Sequence, residues 1–216
     1  MLCALNLRDM DKFSHFVFDI DGTLIDTEYA ILHSLQDTLS ALGRRAEIGE
    51  LSFALGIPGR DALERLGVAD PAAANAAWEK RFCFYKDRVD CFSGIRELLV
   101  ELELRGCRAG IVTSKSRREY DDDFLPLGIG GHFRVSVCVG DAPRPKPFPD
   151  PLLKYLKLSG AAADEVVFIG DTKYDAACAR GAGVRFCLAE WGSPNAAEIE
   201  ADFRFKHPSD VLSIVR

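Results

Sequence analysis

A chain of 216 residues, 48% of them hydrophobic, suits one large domain or one domain carrying an insertion, and it supplies a sizeable core. A formal net charge of −6 without a strong basic block argues against nucleic-acid binding by phosphate neutralisation and points to a small ligand. The seven cysteines (Cys3, Cys83, Cys91, Cys107, Cys138, Cys178, Cys187) are scattered, odd in number and form no Cys-x-x-Cys pair, so they read as reduced, mostly buried thiols. His15, His33, His132 and His207 do not cluster as zinc ligands would.

At the N-terminus Asn6, Arg8, Asp9, Asp11 and Lys12 interrupt any apolar run, so neither a signal peptide nor a membrane span is expected and the cytoplasm is the default. Phe16-Val17-Phe18 is a short aromatic and β-branched run of the kind buried on both faces of a parallel sheet. It ends at Asp19. Asp21 follows two residues on and points the same way in an extended chain, and Gly22 permits an immediate turn. Two carboxylates thus meet where open α/β sheets bind ligands. Ile31, Leu35, Leu39 and Leu42 then recur at helical spacing before Gly43. Leu51 to Leu55 and Ala62 to Leu66 read as shorter helices, separated by Gly56-Ile57-Pro58-Gly59, a candidate substrate contact. Arg60 beside it either forks to a substrate anion or is a solvated loop arginine. Asp70-Pro71 opens a helix whose stripe of Trp78, Phe82, Tyr85 and Val89 reads as core. No strand is expected between residues 27 and 89, a helical insertion.

Ile95, Leu98, Leu99 and Leu102 form the next helix, ending near Gly106, and Arg108 to Thr113 reads as a strand. Thr113-Ser114-Lys115 places hydroxyls and an amine at its carboxyl end. Asp121 to Asp123 read as a solvated acidic face. Val135 to Val139 is another strand, and in the following Pro143-to-Pro151 link the one lysine, Lys146, is braced by prolines on both sides. Asp150-Pro151 starts a helix, and Val166 to Ile169 is a strand running into Gly170-Asp171. Asp175 stands one helical turn after Asp171, at a helix start where acids are also good caps. A helix to Ala182, Gly183 as its stop and a strand from Val184 to Leu188 complete an alternating series.

Every one of these polar clusters follows a predicted strand, and a parallel sheet has all its strand ends on one edge. Asp19, Asp21, Thr113, Lys146 and Asp171 can therefore converge. Several carboxylates, a lysine and a hydroxyl are the parts for a hard, oxygen-ligated cation such as Mg²⁺ and a phosphate beside it.

In these motifs the chain resembles the haloacid dehalogenase superfamily of phosphohydrolases, most closely its phosphoglycolate-phosphatase-like branch. Asp19-Ile20-Asp21-Gly22-Thr23, Thr113 after Gly110-Ile111-Val112, Lys146, and Gly170-Asp171 with Asp175 match its four motifs in order. The resemblance implies a doubly wound, Rossmann-like parallel-sheet α/β core (1–26 and 90–216) with an inserted α-helical cap (27–89). By it Asp19 is the nucleophile, forming an aspartyl-phosphate, and Asp21 is the acid–base that also offers its carbonyl to Mg²⁺. Thr113 with Ser114 binds phosphoryl oxygens, Lys146 holds Asp19 and the transferring charge, and Asp171 holds the metal with Asp175 in support. The implied reaction is hydrolysis of a small phosphate monoester by a monomer or homodimer that uses neither nucleic acid nor membrane. Pyrophosphatase, nucleotidase and sugar-phosphate phosphatase or mutase activities stay open, although Ile31 stands where the mutases place a histidine. A phospho-switch module is the non-enzymatic alternative. It lacks a large helical insertion and keeps its aspartate on a later strand.

Overall fold

The computed structural model describes residues 13–193 and 196–216, so Cys3 and the N-terminal residues read above for a signal peptide lie outside it. In chain order the elements are β1 (His15–Phe18), β2 (Ile25–Asp26), α1 (Glu28–Ala41), α2 (Ile48–Leu51), α3 (Gly59–Arg65), α4 (Pro71–Phe82), β3 (Asp90–Cys91) and α5 (Ile95–Leu104). There follow β4 (Arg108–Ser116), α6 (Arg117–Glu119), β5 (Phe133–Val139), α7 (Asp150–Ser159), β6 (Val166–Gly170), α8 (Lys173–Ala182), β7 (Arg185–Ala189) and β8 (Phe203–Phe205). Six strands form a sheet ordered β5-β4-β1-β6-β7-β8, every pair parallel.

The alternation of side chains along β1 builds two cores at once. Phe16 and Phe18 join one that includes Leu98, Leu99 and Leu102 of α5, while Val17 joins the other, with Tyr155 of α7 and Ala176 and Ala179 of α8. Both faces are therefore covered, as the uninterrupted apolar run requires. The register then fixes the site: Phe18 is level with Ile111 of β4 and Ile169 of β6, so the residues just beyond all three strands share one edge. The chain runs from β1 outward to β4 and β5 and returns to β6 on the other flank, which makes the end of β1 the switch point where such sheets bind ligands.

The insertion is helical, as its periodicity predicts, and has its own core, with Leu35 and Leu39 of α1, Leu51, Leu63 and Trp78 fully or nearly buried. Asp70 accepts a hydrogen bond from the Ala73 amide at 3.0 Å, the expected cap ahead of Pro71. Three features were not anticipated. β2 and β3 pair antiparallel, Asp26 opposite Asp90, so the chain enters and leaves the insertion through one short ribbon. β8 extends the sheet beyond β7, where the sequence reading stopped. After α6 the backbone winds as a π-helix over Tyr120–Phe124. Of the six described cysteines, all free thiols, Cys138, Cys178 and Cys187 are buried and Cys83 is exposed. No helix among the described residues is long and apolar enough to cross a membrane.

Candidate active site

The proline-braced link after β5 delivers Lys146 into the interior, where its Nζ lies 2.8 Å from Asp19 Oδ2 and 2.6 Å from Asp175 Oδ1. Burial works against the ammonium, but Asp175 and Asp19 outweigh it and hold its pKa above the ordinary lysine value. Asp175 also accepts from the Thr172 amide (3.0 Å) and hydroxyl (2.5 Å), the reciprocal cap of α8, so both of its oxygens are engaged. Asp19 keeps one oxygen without any partner: Oδ1 is buried and unbonded. Burial pushes the Asp19 carboxyl up to about 7 against the pull of Lys146, and burial, with Asp175 and Asp19 alongside, also raises Asp171.

Oxygens of Asp19, Asp171 and Asp175 all lie within 4.8 Å of one another. Three buried carboxylates against one ammonium leave an excess of negative charge, and Asp19 Oδ1 is an orphaned acceptor within it. A hard cation with oxygen ligands fits that donor set. The approach is kept narrow by glycine. Gly22 has φ +73°, and a Cβ there would stand 2.2 Å from Asp171 Oδ2. Thr23 fixes Asp171 through its hydroxyl, 3.1 Å to Oδ1, and Ser193 donates to the Asp171 carbonyl at 2.5 Å.

Asp21 faces elsewhere. Its Oδ1 accepts from Thr27 at 2.8 Å and lies 3.1 Å from Lys115 Nζ, so its carboxylate is held by partners other than Lys146. Lys115 is buried, and despite that burial Asp21, Glu119 and Asp123 raise its pKa above the ordinary lysine value. The sequence reading noted this amine at a strand end but gave it no role. Strand alternation gave no usable signal, because β4 shifts register between Val112 and Ser116 and the neighbours Ser114 and Lys115 both line the cavity. Thr113 is buried, its Oγ1 accepting from the Lys115 amide at 3.2 Å.

Between the insertion and the sheet edge lies a cavity of about 60 Å³, into which Asp19, Asp21, Gly56, Ile57, Gly59, Ser114 and Lys115 open. The Gly56–Gly59 loop thus reaches the site, and Ser114 is tied to it by a hydrogen bond from its Oγ to the Gly56 carbonyl, 2.9 Å. Two expectations, for Arg60 and Asp123, need correction, and that for Trp78 and Phe82 holds. Arg60 does not line the cavity: it is exposed and its Nε pairs with Glu64 at 3.1 Å, one helical turn on. Trp78 and Phe82 are core residues, but they also form cavity wall. Asp123 is not part of a solvated face, because it turns inward to Lys86 Nζ at 2.7 Å and borders the cavity, while Asp121 and Asp122 are exposed.

Residues 16–189 match a family model described as haloacid dehalogenase-like hydrolase. Pyrophosphatase PpaX of Bacillus cereus is 28% identical over 212 residues, 94% of this chain and 97% of that protein. A Caldanaerobacter subterraneus protein provisionally named pyrophosphatase PpaX is 30% identical over 189 residues, 83% of each chain. Among solved structures, a Lactobacillus plantarum protein provisionally named a phosphoglycolate phosphatase superposes with a TM-score of 0.86 at 29% identity, covering 94% of this chain and 99% of its own.

Proposed function

Because the chain belongs to the haloacid dehalogenase-like hydrolases, we propose that it is a Mg²⁺-dependent phosphatase that cleaves a small phosphate monoester through an aspartyl-phosphate on Asp19. The observation that carries this is the separation of the two carboxylates: Asp19 is held by Lys146 inside the buried acidic cluster, while Asp21 is held by Thr27 and Lys115 at the cavity side. On this reading one attacks phosphorus and the other handles protons.

A carboxylate is a weak nucleophile toward a dianionic phosphate, so neutralisation and positioning must supply most of the acceleration. Lys146 orients Asp19 and neutralises charge, Asp175 fixes Lys146, and the Thr113 hydroxyl meets the phosphoryl oxygens. Asp19 and Asp171 with the Asp21 carbonyl would hold Mg²⁺, with Asp175 behind them, and the ion supplies charge neutralisation on the phosphoryl group. In the first half-reaction an Asp19 oxygen bonds to phosphorus as the bond to the leaving oxygen breaks, and Asp21 donates its proton to that oxygen. In the second, Asp21 takes a proton from water, the water oxygen bonds to phosphorus, and Asp19 leaves as carboxylate. Such acid–base help is worth about 10²–10⁴ in rate. Residues 27–89 act as the cap, entering and leaving through the ribbon at Asp26 and Asp90 and closing by the Ser114 contact. The names of the PpaX relatives favour pyrophosphate as a second reading. It uses the same nucleophile and differs only in the leaving group.

The test is chemical trapping. With p-nitrophenyl phosphate, whose leaving group needs little protonation, Asp21→Asn should still form the phosphoenzyme but hydrolyse it slowly, accumulating a hydroxylamine-labile adduct at Asp19. Label on another residue, or full turnover by Asp19→Asn, would reassign the nucleophile.

A further inference from the structure

Resting on the phosphatase reading, we infer that the substrate's leaving group carries an ammonium: it is the phosphate monoester of a small amino alcohol. With the phosphoryl group at Asp19, the leaving group occupies the cavity beneath the cap. Its charged walls beyond Asp19 are four carboxylates, Asp21, Glu79, Glu119 and Asp123, and one ammonium, Lys115. Lys115 is already paired with Asp21 at 3.1 Å. Among the described residues no arginine lines the cavity, and Arg60, the cap residue placed by sequence to fork to an anion, faces away onto Glu64. A leaving group bearing a carboxylate or a second phosphate would therefore meet surplus negative charge and no free cation.

Of the four acids, Asp21 and Asp123 each have an ammonium within hydrogen-bond reach, whereas the close partners of Glu119 and Glu79 are neutral, and of these two Glu79 is the one beside aromatic rings. Asp123 has Lys86 at 2.7 Å, and Glu119 accepts from the Ser116 amide and hydroxyl at 2.8 and 2.6 Å. Glu79 of α4 has only a neutral close partner, Asn75 Nδ2 at 2.7 Å, and its nearest cation is Arg118, 3.7 Å away with a 72% exposed side chain. A screened pair of that kind is weak. Beside Glu79 stand Phe82, whose ring already has the Lys115 ammonium 5.3 Å from its centroid, and Trp78, whose one polar atom is taken by Ser34 at 2.8 Å, leaving the indole ring to the cavity. A carboxylate without a tight counter-ion next to the Trp78 indole recognises an alkylammonium, through ion pairing and cation–π attraction together.

The experiment measures kcat/KM with Mg²⁺ for phosphoethanolamine, ethyl phosphate and 2-phosphoglycolate, with p-nitrophenyl phosphate as the general phosphatase readout. Phosphoethanolamine should exceed ethyl phosphate by about tenfold or more, with 2-phosphoglycolate lowest. Glu79→Gln should shrink that ratio to within about threefold of unity. The wild-type series stands without the variant, so a misfolded Glu79→Gln leaves the inference testable. Ethyl phosphate or 2-phosphoglycolate matching phosphoethanolamine overturns it, as does a Glu79→Gln variant that slows all substrates equally. Absence of turnover on all four compounds removes the phosphatase reading itself, whereas turnover of p-nitrophenyl phosphate without an ammonium preference removes only this inference.

Discussion

Lys146→Met replaces the one ammonium in contact with the Asp19–Asp171–Asp175 cluster by an uncharged side chain of similar length. Both of its ion pairs are fully buried, at 2.8 and 2.6 Å, and removing one member of a buried pair costs about 3–5 kcal/mol because the carboxylates left behind are uncompensated. For a chain of this size each kcal/mol moves Tm by roughly 2–4 °C, so the metal-free variant should melt roughly 6–20 °C below wild type at pH 8. The pH dependence has a definite sign. Burial already raises Asp19, to about 7, and Asp171 above the ordinary carboxyl value, and loss of Lys146 raises both further. Between the unfolded and folded values the native state then binds more protons than the unfolded one, so stability falls as pH rises through that window. The deficit should open as pH rises above about 7, the wild-type Asp19 value, and be small at pH 5. Mg²⁺ should restore part of it by supplying the missing positive charge. Thermal melts in chelator and in Mg²⁺ at three pH values measure all of this. A variant melting within about 2 °C of wild type at pH 8 in chelator, or losing more at pH 5 than at pH 8, would refute the buried counter-ion argument.

Gly22→Ala forces a side chain into φ +73° and into Asp171, so it should lose about 1–2 kcal/mol and also most of the Mg²⁺-induced rise in Tm, which wild type provides as the control. Lys115→Met frees the Asp21 carboxylate and should lower kcat/KM for an alkyl phosphate roughly 10–100-fold, but much less for p-nitrophenyl phosphate, whose departure needs no proton. Equal losses on both would show that Lys115 acts other than through Asp21. Arg60→Ala removes an exposed helix-surface pair and should change stability by no more than about 0.5 kcal/mol, with KM for the best substrate unchanged in steady-state assays.

Local chemistry made much of this protein legible without coordinates. An apolar run closed by Asp19 and Asp21 reads as a buried strand ending in paired acids, and the β–α alternation after it predicts a parallel sheet whose ends share an edge. Asp19, Asp21, Thr113, Lys146 and Asp171 are then expected to converge; the register of Phe18 with Ile111 and Ile169 sets the strand ends level, and Lys146 reaches Asp19. The cap of α4 was equally local, needing only Asp70 and the following proline. What tertiary structure decided was the direction of side chains whose surroundings come from distant chain. Asp123 read as solvated because it belongs to a run of three acids, but the π-helix over Tyr120–Phe124 adds a residue to the turn, and Asp123 meets Lys86 of the insertion. Lys115 became part of the site only because Asp21, 94 positions earlier by number, arrives beside it. Arg60 lies two residues from Pro58 in sequence, yet the helix starting at Gly59 gives it Glu64 as a nearer partner than any substrate. The sign of the charge around the leaving group is a sum over segments that meet only when the chain is folded, and no periodicity in a single stretch encodes it.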